Sequence, residues 1–131
     1  MKTIEGNKMI PSVNYHLWEP CNMRCKFCFA TFQDVKIQLP KGHLSKEESM
    51  KLIEEIADFG FEKITFAGGE PTLCPWISEL IKLAKENGLT TMIVTNGSKL
   101  SEEFLIQNQK YLDWIILSID SVHPETNIKS G

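Results

Sequence analysis

Between residues 11 and 119 the chain switches repeatedly between two hydrophobic periods. Met50, Leu52, Ile53, Ile56 and Ala57 recur at helical spacing within Ser45–Phe59. Ser45 with Glu48 three residues on has the pattern of a capping box, and Gly60 stands where such a helix would stop. Trp76, Ile77, Leu80, Ile81, Leu83 and Ala84 repeat the spacing across Pro75–Asn87, ahead of Gly88. A third helix is predicted over Ser101–Lys110. Between these lie short runs rich in β-branched and aromatic residues, Pro11–Trp18, Glu62–Ala67, Thr90–Thr95 and Trp114–Ile119, which read as strands.

Strands and helices that alternate every ~25 to 30 residues imply right-handed crossovers, and hence an α/β fold with a parallel sheet. Each strand runs at its carboxyl end into a polar or glycine-rich sequence. Ligands of such sheets bind just beyond those ends, so Cys21–Cys28, Gly68–Pro71, Asn96–Gly97 and Ser118–Ser121 are expected to meet on one rim.

Composition narrows the class. The 131 residues are 42% hydrophobic and 24% charged, as in one ordinary globular domain, which argues against disorder. Fourteen basic and 17 acidic residues, with no block of like charge, offer no footprint for nucleic acid or an anionic membrane. No apolar run reaches the ~18 residues of a membrane span, and Met1–Lys8 lacks the apolar stretch of a signal peptide. A reducing, cytoplasmic setting is therefore expected.

Cys21, Cys25 and Cys28 lie in a C-x3-C-x2-C pattern, with Phe27 just before the third, while Cys74 stands apart. That asymmetry does not suit a disulfide framework. Three thiolates suit a cubane iron–sulfur cluster with one iron left open; a zinc site completed by Cys74, or buried thiols without a metal, fit the same spacing.

Cys21-Asn22-Met23-Arg24-Cys25-Lys26-Phe27-Cys28 followed by Gly68-Gly69-Glu70-Pro71 resembles the radical S-adenosylmethionine (SAM) superfamily. The resemblance implies a partial (β/α) barrel, here spanning about four βα units. It also implies a [4Fe-4S] cluster on Cys21, Cys25 and Cys28, whose open iron binds SAM and reduces it to methionine and a 5′-deoxyadenosyl radical. By the same resemblance Gly68, Gly69, Glu70 and Pro71 would receive the methionine amino group through backbone carbonyls and the Glu70 side chain. The glycines would allow that close approach. Phe27, Asn96 and Ser118 would also contact SAM, Asn96 at the ribose hydroxyls and Ser118 at the carboxylate. Plainer readings exist for each: a tight turn at 68–71, a turn at Asn96-Gly97, and a small polar residue in a buried strand for Ser118.

Ser12-Val13-Asn14-Tyr15-His16, Glu62-Lys63-Ile64, Thr95-Asn96-Gly97-Ser98, Tyr111-Leu112-Asp113, Ser118, Asp120-Ser121 and Asn127–Gly131 are similar to the viperin branch. Viperins dehydrate a nucleoside triphosphate to its 3′-deoxy-3′,4′-didehydro analogue, a chain terminator for viral polymerases, beginning with abstraction of the ribose 4′ hydrogen. The resemblance implies a nucleoside triphosphate substrate such as CTP, an antiviral lyase activity, and a reductant such as flavodoxin or ferredoxin. Lys63 would contact phosphate, unless it is an ordinary exposed lysine. Asn14 and His16 share one strand face, opposite Tyr15, so Asn14 would line the substrate cavity and His16 reads as a core residue. His43 and His123 read as loop residues, Cys74 as a packing thiol, and the methionine and aromatic residues on the helical faces as core.

The sequence departs from animal viperins in having only a polar tail over 1–10 before the domain at 11–131, so membrane attachment is not carried over. Ala67 stands where the animal proteins have serine and Ala30 where they have histidine. The 131 residues are expected to form the N-terminal portion of the barrel, with four of six strands. Competing readings are another radical SAM reaction, such as peptide modification or cofactor biosynthesis, and a metal-binding module or fragment without turnover.

Overall fold

The structure, a computed structural model, describes residues 11–23, 42–119 and 121–130. The elements run β1 (Ser12–Trp18), α1 (Lys46–Asp58), β2 (Lys63–Gly68), α2 (Ile77–Glu86), β3 (Thr90–Thr95), α3 (Glu102–Asn108), β4 (Trp114–Leu117) and α4 (Pro124–Ser130). The four strands form one sheet in the order β1-β2-β3-β4, every pair parallel. This is the α/β architecture that the alternating periods predict.

Helix α1 begins as its sequence dictates. The Glu48 N–H donates to the Ser45 hydroxyl at 3.2 Å, and the Glu48 carboxylate accepts from the Ser45 N–H at 3.1 Å. Its buried Ile53 and Ile56 meet Ile77, Leu80, Ile81 and Ala84 of α2, and both helices cover one face of the sheet. Alternation along the strands supplies the other side of this core: Leu17, Ile64, Phe66 and Ile93 are buried there. Each such side chain contributes about 1.5–3 kcal/mol on burial. Tyr15 points the same way, its hydroxyl 3.0 Å from that of Ser49.

The opposite face carries the residues between. Asn14 pairs with Thr65, Thr65 with Met92, and Met92 with Trp114, a single row across the sheet; Ser12, Lys63 and Thr90 form the row below. Asn14 and His16 are both exposed on this face, so His16 is not a core residue.

Asp113 fixes the entry to β4. Its carboxylate accepts from the Thr91 N–H at 2.9 Å and from the Lys85 ammonium at 2.9 and 3.0 Å. Burial raises the Asp113 carboxyl, but the Thr91 N–H and then Lys85 outweigh it and hold the group below the usual carboxylate range.

Several expectations are corrected. A 3-10 turn at Pro71–Leu73 precedes α2, which starts at Ile77 with no side-chain cap from Trp76. Phe59 is exposed and stacks on Phe61, because it lies past the last turn of α1 that faces the core. The apolar run after Asp113 forms a strand of four residues, all exposed. Helix α4 has no apolar period to announce it: its Ile128 is exposed, and the signals are local, with Pro124 opening the first turn and Asn127 Nδ2 donating to the Ser121 carbonyl at 2.8 Å. Among the described residues no helix is long and apolar enough to cross a membrane.

Candidate functional site

The loops at the carboxyl ends of β1, β2 and β3 are tied directly to one another. The Gly69 N–H donates to the Trp18 carbonyl at 2.7 Å and the Glu70 N–H to the Pro20 carbonyl at 3.0 Å. A Cβ on Gly69 would lie 2.6 Å from the Pro20 carbonyl oxygen and still closer to that of Glu19. One on Gly68, where φ is +141°, would run into the Trp18 backbone. The paired glycines are thus required by close approach to the segment leading into Cys21.

Glu70 is turned inward and is 1% exposed. One carboxylate oxygen accepts from the Thr72 N–H (3.2 Å), the Thr72 hydroxyl (2.7 Å) and the Thr95 hydroxyl (2.5 Å); the other accepts from the Asn96 N–H (2.7 Å). Glu70, the side chain expected to receive an amino group, thereby joins the end of β2 to the end of β3. Asn96 carries the link onward. Its amide nitrogen donates to Asn22 Oδ1 at 2.9 Å and lies 3.9 Å from Cys21 Sγ, and its oxygen accepts from the Ser98 N–H at 3.0 Å. Asn22 in turn donates to the Ser98 hydroxyl at 2.7 Å.

Cys21 is exposed at this rim, and its sulfur accepts from the Met23 N–H at 3.4 Å. A sulfur on an open edge with N–H groups directed at it suits a cluster thiolate, whose charge such donors stabilise. The residues present therefore fit an iron–sulfur group. Cys25, Cys28 and Phe27 lie outside the described residues, and among the described residues no three metal-binding side chains come together.

Cys74 has a different environment. It is 2% exposed within the hydrophobic core, and burial pushes its thiol up, with partial relief from the Trp76 N–H. Three residues before Cys21, Trp18 packs against His43 (ring centroids 4.0 Å apart) and, edge to face, against Trp76 (5.6 Å).

Ser118 lies just past β4, exposed, its N–H donating to the Thr95 carbonyl at 2.9 Å. It is not buried in a strand, and it joins the same rim. Asn14 and Lys63 sit lower, on the uncovered face of the sheet, on neighbouring strands and one row apart. The rim thus gathers Cys21, Gly68–Pro71, Asn96 and Ser118 as expected. Thr95 and Asn22, which link them, carry no signal of that role in the sequence, where one reads as the end of a strand and the other as part of the cysteine motif.

A parallel α/β sheet with a cysteine loop and a Gly-Gly-Glu-Pro turn joined at its carboxyl edge defines a class of cofactor-dependent protein. The chain belongs to the radical SAM superfamily, whose family model matches residues 17–130. It is 70% identical over 127 residues to an S-adenosylmethionine-dependent nucleotide dehydratase of Flammeovirga pacifica, and 66% identical over 123 residues to one of Lacinutrix mariniflava. These alignments take in 96% and 93% of this chain but only 44% and 26% of those proteins, so the chain spans less than half the length of these curated relatives. By sequence it falls in their viperin-like branch. The fold is similar to that in the crystal structure of BtrN in complex with AdoMet and 2-DOIA, with a TM-score of 0.70 at 21% identity over 93% of this chain and 51% of that one.

Proposed function

We propose that this chain carries the SAM-cleaving portion of a nucleotide dehydratase. The enzyme converts a nucleoside triphosphate such as CTP to its 3′-deoxy-3′,4′-didehydro form in antiviral defence. The observation that carries this reading is the 70% identity to the Flammeovirga pacifica nucleotide dehydratase across 96% of the chain. The joined rim supports it.

A [4Fe-4S] cluster, when bound, supplies the electron that divides SAM into methionine and a 5′-deoxyadenosyl radical. Cys21, Cys25 and Cys28 hold that cluster. The backbone carbonyls of Gly68–Pro71 and the Glu70 side chain receive the methionine amino group, Asn96 the ribose hydroxyls and Ser118 the carboxylate, with Phe27 alongside. Asn14 and Lys63 bind the nucleotide. Lys63 lies five residues before Gly68, about 16 Å down the strand, so a substrate reaching both would lie along the uncovered sheet face with its phosphates away from the rim. An ammonium at that depth suits a phosphate charge. A flavodoxin or ferredoxin in a reducing cytoplasm supplies electrons.

The test is anaerobic incubation of the full-length protein with SAM, dithionite and, in turn, CTP, UTP and GTP. The expected result is 5′-deoxyadenosine together with a nucleotide product lighter by one water. Formation of 5′-deoxyadenosine without a nucleotide product would overturn the dehydratase reading, and no 5′-deoxyadenosine would overturn SAM cleavage as well.

A further inference from the structure

We infer that Thr95 is a positioning residue for SAM binding, acting with Glu70 as a buried brace that holds the Asn96–Gly97 turn in place. The inference rests on the proposed SAM site and adds to it a residue that never touches the ligand.

Thr95 is 2% exposed and ends β3 on the helix-covered face, in line with Thr91 and Ile93. An aliphatic side chain of the same shape would fill that space without the cost of burying a hydroxyl. The hydroxyl is instead used twice: it donates to Glu70 at 2.5 Å and accepts from the Gly97 N–H at 3.1 Å. The second Glu70 oxygen takes the neighbouring Asn96 N–H at 2.7 Å. One carboxylate therefore grips two consecutive residues, one by its side chain and the next by its backbone. Gly97 must hold a φ of +81°, so the turn has no alternative support from ordinary strand geometry.

The position of the Asn96 amide depends on this grip. Its backbone is fixed from the buried side by Glu70, and its side chain projects to the open rim, where it meets Asn22 beside Cys21. Without the Thr95 hydroxyl, Glu70 loses a partner and the half-buried Gly97 N–H loses its acceptor, so the turn relaxes and Asn96 leaves the ligand-facing position.

The test compares Thr95→Val, Thr95→Ser and the unsubstituted full-length protein, each loaded anaerobically with its cluster. Thr95→Val is expected to weaken SAM binding, measured by equilibrium dialysis, about tenfold or more at unchanged iron content, while Thr95→Ser restores the affinity. In the unsubstituted protein the Asn96 and Gly97 amides are expected to exchange with deuterium as slowly as those of β3. Unchanged SAM affinity in Thr95→Val, failure of Thr95→Ser to restore it, or free exchange of the two amides would each overturn the brace. The exchange measurement decides the matter even where Thr95→Val does not fold. If the unsubstituted protein itself fails to bind SAM, the proposed function falls, and protection of the two amides then still separates the brace from that failure.

Discussion

The Gly69 N–H and the Trp18 carbonyl, 2.7 Å apart, lock the Gly-Gly-Glu-Pro turn onto the segment that enters the cysteine loop. The contact is between backbones, so neither side can yield to an added methyl group. Gly69→Ala is expected to cost about 1–3 kcal/mol or more and to lower the iron retained after reconstitution. Gly97→Ala faces only a flexible Leu117 methyl at 3.2 Å and the strain of a positive φ, about 1–2 kcal/mol. Thermal denaturation and iron analysis of the two variants check the order; equal losses would show that backbone crowding at Gly69 is not the dominant constraint.

The cysteines differ in reactivity. In the metal-free folded protein, brief treatment with iodoacetamide is expected to label Cys21 and spare Cys74, whose thiol is buried and raised. Peptide mass spectrometry before and after denaturation reads the difference. Labelling of Cys74 at the rate of Cys21 would contradict its place in the core.

The Asp113 carboxyl gives a directional pH effect. Because its folded value lies below the ordinary one near 3.9, its stabilisation is complete above that value. It is lost as the pH falls from the ordinary value through the folded one. Chemical denaturation at descending pH should show a smaller acid-side decline for Asp113→Asn, which lacks that titration, than for the unsubstituted protein. Parallel declines would show that the Lys85 and Thr91 contacts add nothing.

For Lys63, replacement by methionine keeps the aliphatic stem and removes the charge. The expected outcome is a KM for the nucleoside triphosphate raised about tenfold or more, with SAM cleavage in the absence of nucleotide unchanged. Steady-state kinetics of 5′-deoxyadenosine and nucleotide product separate the two. An unchanged KM would return Lys63 to the role of a surface lysine.

Local signals were legible in the sequence, and long-range ones were not. Ser45 and Glu48 lie within one turn, so their reciprocal bonds follow from spacing alone. Gly68–Pro71 and Asn96–Gly97 could be assigned to one rim because strand topology brings strand ends together. That the glycines also make room within the chain could not be read, since the neighbour there is the backbone of Trp18–Pro20, about fifty residues earlier. The Thr95–Glu70 bond is hidden in the same way: a threonine at the end of a strand run gives no sign of its partner, and only the fold sets it against a carboxylate 25 residues away. The apolar run at Trp114–Leu117 shows the opposite limit. Its composition is that of a strand buried on both sides, yet those side chains stay exposed among the described residues.

The aromatic group around Trp18 has an optical consequence. Trp18 and Trp76 meet edge to face, and Trp18 is three residues from Cys21, whereas Trp114 sits exposed at the other end of the sheet. An iron–sulfur chromophore at the rim would drain excited-state energy from the paired indoles more efficiently than from Trp114. The protein's own fluorescence thereby becomes a gauge of cluster occupancy, readable without a label and before any turnover is measured.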